Sequence, residues 1–219
     1  MQCTMTFHRK IALLLLCFFT ITAAHSEEQW VLEKSQGPIK VLSRHISQDG
    51  SLQPQKEIWA KTLVKASPAS LLRLLDDIAQ APRWIDNCIA VKLLERGDSA
   101  INIVQSTFSA PWPLQDRDMV TQSITHIKGD SIVIDIQDVG QQYPKQKNTV
   151  RMTNIQGQWT VTKIDPDLIE ISYQGTGNAS GNIPLWLANK VLIDSTYQTF
   201  LQLGDFISHD KYQVALITH

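Results

Sequence analysis

The sequence predicts an α+β domain in which a curved antiparallel β-sheet wraps around one long C-terminal α-helix. Three observations carry this expectation. From residue 89 to residue 173 the apolar positions fall in short segments rich in Val, Ile, Thr and aromatic residues, with no helix-length insertion between them, so successive strands are joined by hairpins. After Pro184 the chain runs to His209 with no proline and only Gly204 as a weak point, enough for about 25 residues or ~37 Å of helix. A strongly twisted sheet of about eight or nine strands must cover its apolar face. The chain offers that helix and a shorter one near residues 68–80 as the main covers.

The elements follow in chain order. His8-Arg9-Lys10 precedes an apolar run from Ile11 to Ala24, and small residues at Ala24 and Ser26 follow. This is the pattern of a secretory signal peptide over residues 1–26. Its core of 14 residues is short of the ~20 that span a bilayer, so a permanent anchor is the weaker reading. Cleavage after Ser26 leaves residues 27–219 as one domain. Arg9 and Lys10 depart with the leader, which takes the net charge from -1 to -3. Cys3 and Cys17 depart as well, and Cys17 lacks the small preceding residue of a lipidation site. Cys88 then has no intramolecular disulfide partner, and stability rests on the core.

Ile39–Ile46 and Ile58–Val64 read as paired strands around an Asp49-Gly50 turn. Ser67-Pro68 caps and opens a helix whose apolar face holds Leu71, Leu72, Leu74, Leu75 and Ile78. Pro82 interrupts it, and Trp84 and Ile85 pack a second short helical segment. Strands are then expected over 89–94, 100–108, 118–127, 131–136, 148–155, 158–163 and 168–173, with Asp98, Gly129, Gly157 and Pro166 as punctuation. The glycine-rich run Gly175 to Gly181 lacks the Lys-Ser/Thr ending of a phosphate loop and reads as a bend before the last helix. On that helix Leu185, Trp186, Leu192, Ile193, Thr196, Phe200, Leu203 and Ile207 share one face, opposite Lys190, Asp194, Gln198, Gln202 and Asp205. A curved sheet around a rod 10–12 Å wide leaves space between them, and space lined by Ile, Val, Phe and Trp takes an apolar guest.

The near-neutral charge, with no block of like charges, argues against nucleic acid as a partner. Reactive constellations are scarce. His45, His126, His209 and His219 form no metal-ligand spacing, no Gly-x-Ser-x-Gly elbow occurs, and Cys88 reads as a small buried thiol at a helix–strand junction. No metal or cofactor is expected. Asp116-Arg117-Asp118, just before a strand, either orients a ligand headgroup or forms an arginine–carboxylate clasp that fastens neighbouring backbone. Asp135 and Arg151 pose the same choice, because either one, if aimed into an apolar chamber, requires a partner or a polar ligand group. The polar stretch from Asp138 to Asn148, which includes Tyr143, is either a mobile cover at a cavity mouth or a solvated connection.

Taken together, Pro113-Leu114-Gln115-Asp116-Arg117-Asp118-Met119-Val120, Pro144 to Arg151 and Gly181-Asn182-Ile183-Pro184-Leu185-Trp186-Leu187-Ala188-Asn189 resemble the START family of lipid-transfer domains. Weaker agreement runs from Trp30 across Trp84 to near residue 207. The resemblance implies a helix-grip fold in which the last helix lids a hydrophobic tunnel for a sterol, phospholipid, ceramide or similar molecule. It implies that residues 138–148 flank the tunnel entrance, that Arg117 and Asp118 match the family's Arg-Asp element, and that Trp186, Leu187, Val191, Leu192 and Phe200 contribute lid contacts. Steroid-carrying relatives often place a further arginine six residues beyond Arg117, where this chain has Ser123. A sterol-specific headgroup contact therefore does not carry over.

The expected activity is non-catalytic binding and transfer of a lipid, exported to the periplasm or beyond the cell, with transient contact at a membrane surface. Two other classes stay open at this point. One is a helix-grip cyclase or hydrolase acting on an apolar small molecule, which requires titratable groups such as His126, Asp135 or Arg151 to converge in the cavity. The other is an envelope interaction module with a closed core.

Overall fold

The structure, a computed structural model, describes residues 29–46, 55–97 and 100–213. The expected leader and the Asp49-Gly50 turn lie outside the described residues. Ten strands form one sheet: β1 (Val31–Gln36), β2 (Ile39–Ile46), β3 (Gln55–Lys65), β4 (Cys88–Arg96), β5 (Ile101–Phe108), β6 (Asp116–Lys128), β7 (Ser131–Asp138), β8 (Thr149–Arg151), β9 (Thr153–Asp165) and β10 (Leu168–Asn178). Among the described residues three α-helices accompany them, α1 (Pro68–Asp76), α2 (Ala81–Trp84) and α3 (Leu185–Ile207). The strand order is β1-β2-β3-β10-β9-β7-β6-β5-β4. These neighbours are antiparallel, as hairpin connections require. β8 alone runs parallel, pairing Thr149, Val150 and Arg151 with Asp116, Arg117 and Asp118 of β6. The result is the curved sheet and long C-terminal helix of a helix-grip α+β fold.

Several elements differ from expectation, each for a physical reason. β1 was not anticipated, because VLEKSQ at the sheet edge is largely exposed and shows no clean alternation. The segments expected at 148–155 and 158–163 resolve into the short β8 and the continuous β9, which passes through Gly157 without breaking. The glycine run does not bend the chain where expected either. β10 continues to Asn178 and contains Gly175 and Gly177. Gly157 and Gly175 face each other across the β9–β10 pair, and a Cβ on either would stand 2.6 Å from the Tyr173 hydroxyl oxygen. These glycines make room for an aromatic ring that leans along the sheet.

The core explains where open space can exist. In its C-terminal half α3 buries Tyr197, Phe200, Leu203 and Ile207. They join Val41, Ala60, Leu71, Trp84, Trp159, Val161 and Ile169 in one cluster. The Phe200 ring stacks on Trp159 with centroids 5.7 Å apart. From its middle onward the helix is fastened by Lys34 to Asp194 at 2.5 Å and by the Tyr197 hydroxyl donating to Gln36. The Asp86 N–H donates to Thr199 Oγ1 at 3.0 Å. Toward the N-terminus α3 is only half-buried, and there it faces a cavity.

Candidate functional site

A cavity of about 700 Å³ lies between the inner face of the sheet, α1 and α2, and the N-terminal half of α3. Strand periodicity decides what faces it. Along β6 the alternate residues Arg117, Met119, Thr121, Ser123 and Thr125 line the space, and Asn102, Val104, Ser106 and Phe108 do so along β5. Ile134 and Ile136 of β7, Trp159 of β9 and Tyr173 of β10 continue the wall. Leu72, Leu75 and Trp84 close one side, and Leu185, Ala188, Val191, Leu192 and Thr196 close the other. The wall is mainly apolar, and Asn102, Ser106, Thr121, Ser123 and Thr125 form a polar strip on β5 and β6. Burial pushes the Tyr173 hydroxyl up to about 12.

The Arg-Asp element divides across the sheet. Arg117 lines the cavity, whereas Asp118, one residue on, points to the opposite side. The clasp considered within Asp116-Arg117-Asp118 is not formed. Instead the fully buried Asp118 carboxylate accepts from Arg151 Nε at 2.8 Å and Nη2 at 2.7 Å, from Thr149 Oγ1 at 2.8 Å and from Gln105 Nε2 at 3.0 Å. Arg151 spends its remaining donors on the loop after β7, giving Nη1 to the Gly140 carbonyl at 2.6 Å and Nη2 to that of Pro144 at 2.9 Å. Gly140 has to be glycine for this approach, since a Cβ there would lie 2.9 Å from Asp138 Oδ1 and 3.2 Å from Arg151 Cδ. Arg151 is thus a fastener beneath the loop, and it does not line the cavity.

The same geometry separates this loop from the cavity. None of residues 138–148 lines the cavity; Asp138, Val139, Gln141 and Gln142 border a polar groove elsewhere that also includes Asp135. Tyr143 donates from its hydroxyl to Glu95 Oε1 at 2.6 Å, and that hydrogen bond raises the phenol above its ordinary value. Asp135, between the inward Ile134 and Ile136, faces away from the cavity, where it accepts from Gln158 Nε2 at 2.8 Å and lies 3.2 Å from His126 Nε2. His126, Asp135 and Arg151 therefore do not converge in the cavity. Among the described residues no group of three or more His, Cys, Asp and Glu could hold a metal ion, and no helix is long and apolar enough to cross a membrane.

On α3, Val191, Leu192 and Phe200 line the cavity, Leu187 does not, and Trp186 is 68% exposed. The helical wheel put Trp186 on the buried face, but here Leu185, Ala188, Val191 and Leu192 face the cavity and the indole stands off that line in solvent. Residues that the sequence reading missed are Trp84 and the segment after β5, where Ala110, Pro111 and Leu114 line the cavity while Trp112 between them is 92% exposed. The wall residues of β5 and β6 could have been found from their alternation alone.

Known proteins resemble this arrangement over most of its length. The START domain family profile matches residues 12–199. An uncharacterized protein of Pseudomonas aeruginosa, PA1579, is 28% identical over 191 residues, 87% of this chain and 92% of its own. The crystal structure of a STAR-related lipid transfer protein fragment from Xanthomonas axonopodis superposes with a TM-score of 0.73 at 28% identity, covering 82% of this chain and 99% of that one. That of human STARD10 does so at 0.70 and 22% identity, over 81% of this chain and 72% of that one, and shares the fold. With its curved sheet, its overlying C-terminal helix and its profile match along most of the sequence, the chain belongs to the START domain family.

Proposed function

We propose that the protein is a non-catalytic carrier that encloses one lipid or other amphiphile in the cavity under α3 and transfers it through water. The observation that carries this reading is that α3 packs solidly through its C-terminal half yet leaves about 700 Å³ open beneath its N-terminal half. Each methylene moved into that space contributes ~0.8 kcal/mol before ordering costs, so an acyl chain outweighs a single surface hydrogen bond. The printed description of the Xanthomonas axonopodis relative, a lipid transfer protein, supports the same reading. Loading and release take place at a membrane surface. Trp112 and Trp186 project beside the lining residues Pro111, Leu114 and Leu185, and exposed indoles suit the bilayer interface. The leader-like residues 1–26 add the proposal that the carrier is exported, working in the periplasm or outside the cell; amino-terminal sequencing of the mature protein checks the cleavage.

The test is native mass spectrometry of protein purified without denaturant, followed by organic extraction and uptake from a panel of lipids. One co-purified or incorporated molecule per chain is expected. Ala188→Trp, which fills the cavity from α3, is expected to abolish uptake while the melting temperature holds. Protein that stays empty and takes up none of the panel overturns the carrier reading.

A further inference from the structure

We infer that Arg117 is the headgroup anchor of the cavity and selects an amphiphile with a carboxylate or phosphate group. This rests on the carrier reading above. Arg117 is 6% exposed, lines the cavity, and has no carboxylate within ion-pair reach among the described residues. Its Nη1 donates to the Gln115 carbonyl, and its buried Nε has no hydrogen-bond partner. A guanidinium keeps its charge at every relevant pH, so burying it without a counter-ion is costly unless a bound molecule supplies one.

The surroundings point the same way. Asp118, the nearest carboxylate in sequence on the C-terminal side, is turned to the opposite face and taken up by Arg151. Asp116 accepts from the Ala110 N–H at 3.1 Å. The cavity-lining carboxylates Asp76 and Asp86 make no ion pair with Arg117. Arg96, the other guanidinium of the lining, is exposed, so water already satisfies it. Among the described residues the buried side-chain polar atoms without partners are Arg117 Nε, Trp84 Nε1 and Gln55 Nε2, all on residues of the cavity wall and all N–H donors. A wall with donors to spare fits a guest whose polar end accepts.

Arg117 also sits where a headgroup would reside. It pairs across the sheet with Phe108, and a Cβ placed on Gly181 would lie 3.9 Å from its Nη2. It is thus close to the segment that leads into α3. An acyl chain directed inward from Arg117 meets Met119, Ile134 and Leu192.

The test compares one chain length with four ends. Palmitate, hexadecyl phosphate, hexadecanol and hexadecyltrimethylammonium are titrated into delipidated full-length protein below their aggregation concentrations. Wild type is expected to bind palmitate or hexadecyl phosphate about tenfold or more tightly than the alcohol, the strength of a charge-assisted hydrogen bond, and to disfavour the ammonium. The ranking of carboxylate against phosphate identifies which acid the site prefers. Arg117→Gln is expected to erase the preference, and Arg117→Lys to keep part of it.

The Arg117 Nε–H resonance of wild-type protein, followed by NMR, needs no variant and is expected to shift with the acids and not with the alcohol. Equal affinity for acids and alcohol, a preference that survives Arg117→Gln, or an unmoved Nε–H resonance overturns the anchor while leaving the carrier intact. Failure of all four to bind overturns both.

Discussion

Replacing Arg151 with methionine keeps the bulk of the side chain and removes its charge. The Asp118 carboxylate, fully buried, would lose the donors at 2.8 and 2.7 Å and retain Thr149 at 2.8 Å and Gln105 at 3.0 Å. A negative charge would remain in the interior with no cation beside it, and the carbonyls of Gly140 and Pro144 would lose their donors. Removing one partner of a buried pair costs about 3–5 kcal/mol. In a domain of this size each kcal/mol moves the melting temperature by roughly 2–4 °C, so calorimetry is expected to record a fall of about 6–20 °C. Hydrogen exchange is expected to rise across residues 140–148 with little change in β10. Made in an Asp118→Leu background, the same substitution should cost far less, because the charge it strands is gone. A loss below about 1 kcal/mol, the range of an exposed pair, or strict additivity of the two substitutions, would refute the reasoning.

Three further expectations follow from the site. Burial pushes the Cys88 thiol up to about 11, so Cys88 should resist iodoacetamide at pH 8 in the folded protein and react once it is unfolded; rapid native labelling in peptide maps would contradict this. Tyr173 is held protonated to about pH 12, whereas an unfolded tyrosine ionises near 10. The unfolded state then binds fewer protons over that window, so stability is full below pH 10 and falls as pH rises toward 12. Tyr173→Phe should flatten that fall, and an unchanged urea midpoint slope with pH would count against the burial. Finally, Trp112→Ala and Trp186→Ala should each weaken partitioning onto phosphatidylcholine vesicles by about five- to tenfold without altering the melting temperature. A double variant that still partitions like wild type would remove the two indoles from the membrane contact.

Much of the fold was legible because period-2 segments and one uninterrupted helix leave few ways to bury apolar surface. What escaped is instructive. Gly157 and Gly175 look like breaks in the sequence, yet they sit in paired strands under the Tyr173 ring, a reason visible only once β9 and β10 are side by side. Val31–Gln36 carries too few apolar residues to announce a strand, because an edge strand owes its place to backbone pairing with β2. Arg117 and Asp118 were recognisable as a pair, but adjacent residues of a strand face opposite ways. Their separate fates depended on Arg151, which lies 33 residues beyond Asp118 in sequence and reaches it through the parallel pairing of β8. The polar stretch from Asp138 to Asn148 has the composition of a mobile cover, and the hydrogen bonds from Arg151 to its backbone, with that of Tyr143 to Glu95, mark it as a tethered loop.

The uneven attachment of α3 has a mechanical meaning. Its ties to Lys34, Gln36 and Asp86 begin at Asp194, so the preceding turns behave as a cantilever projecting from a clamped beam. On the carrier reading proposed above, deflection of that free end would open the chamber while the clamp stays in place.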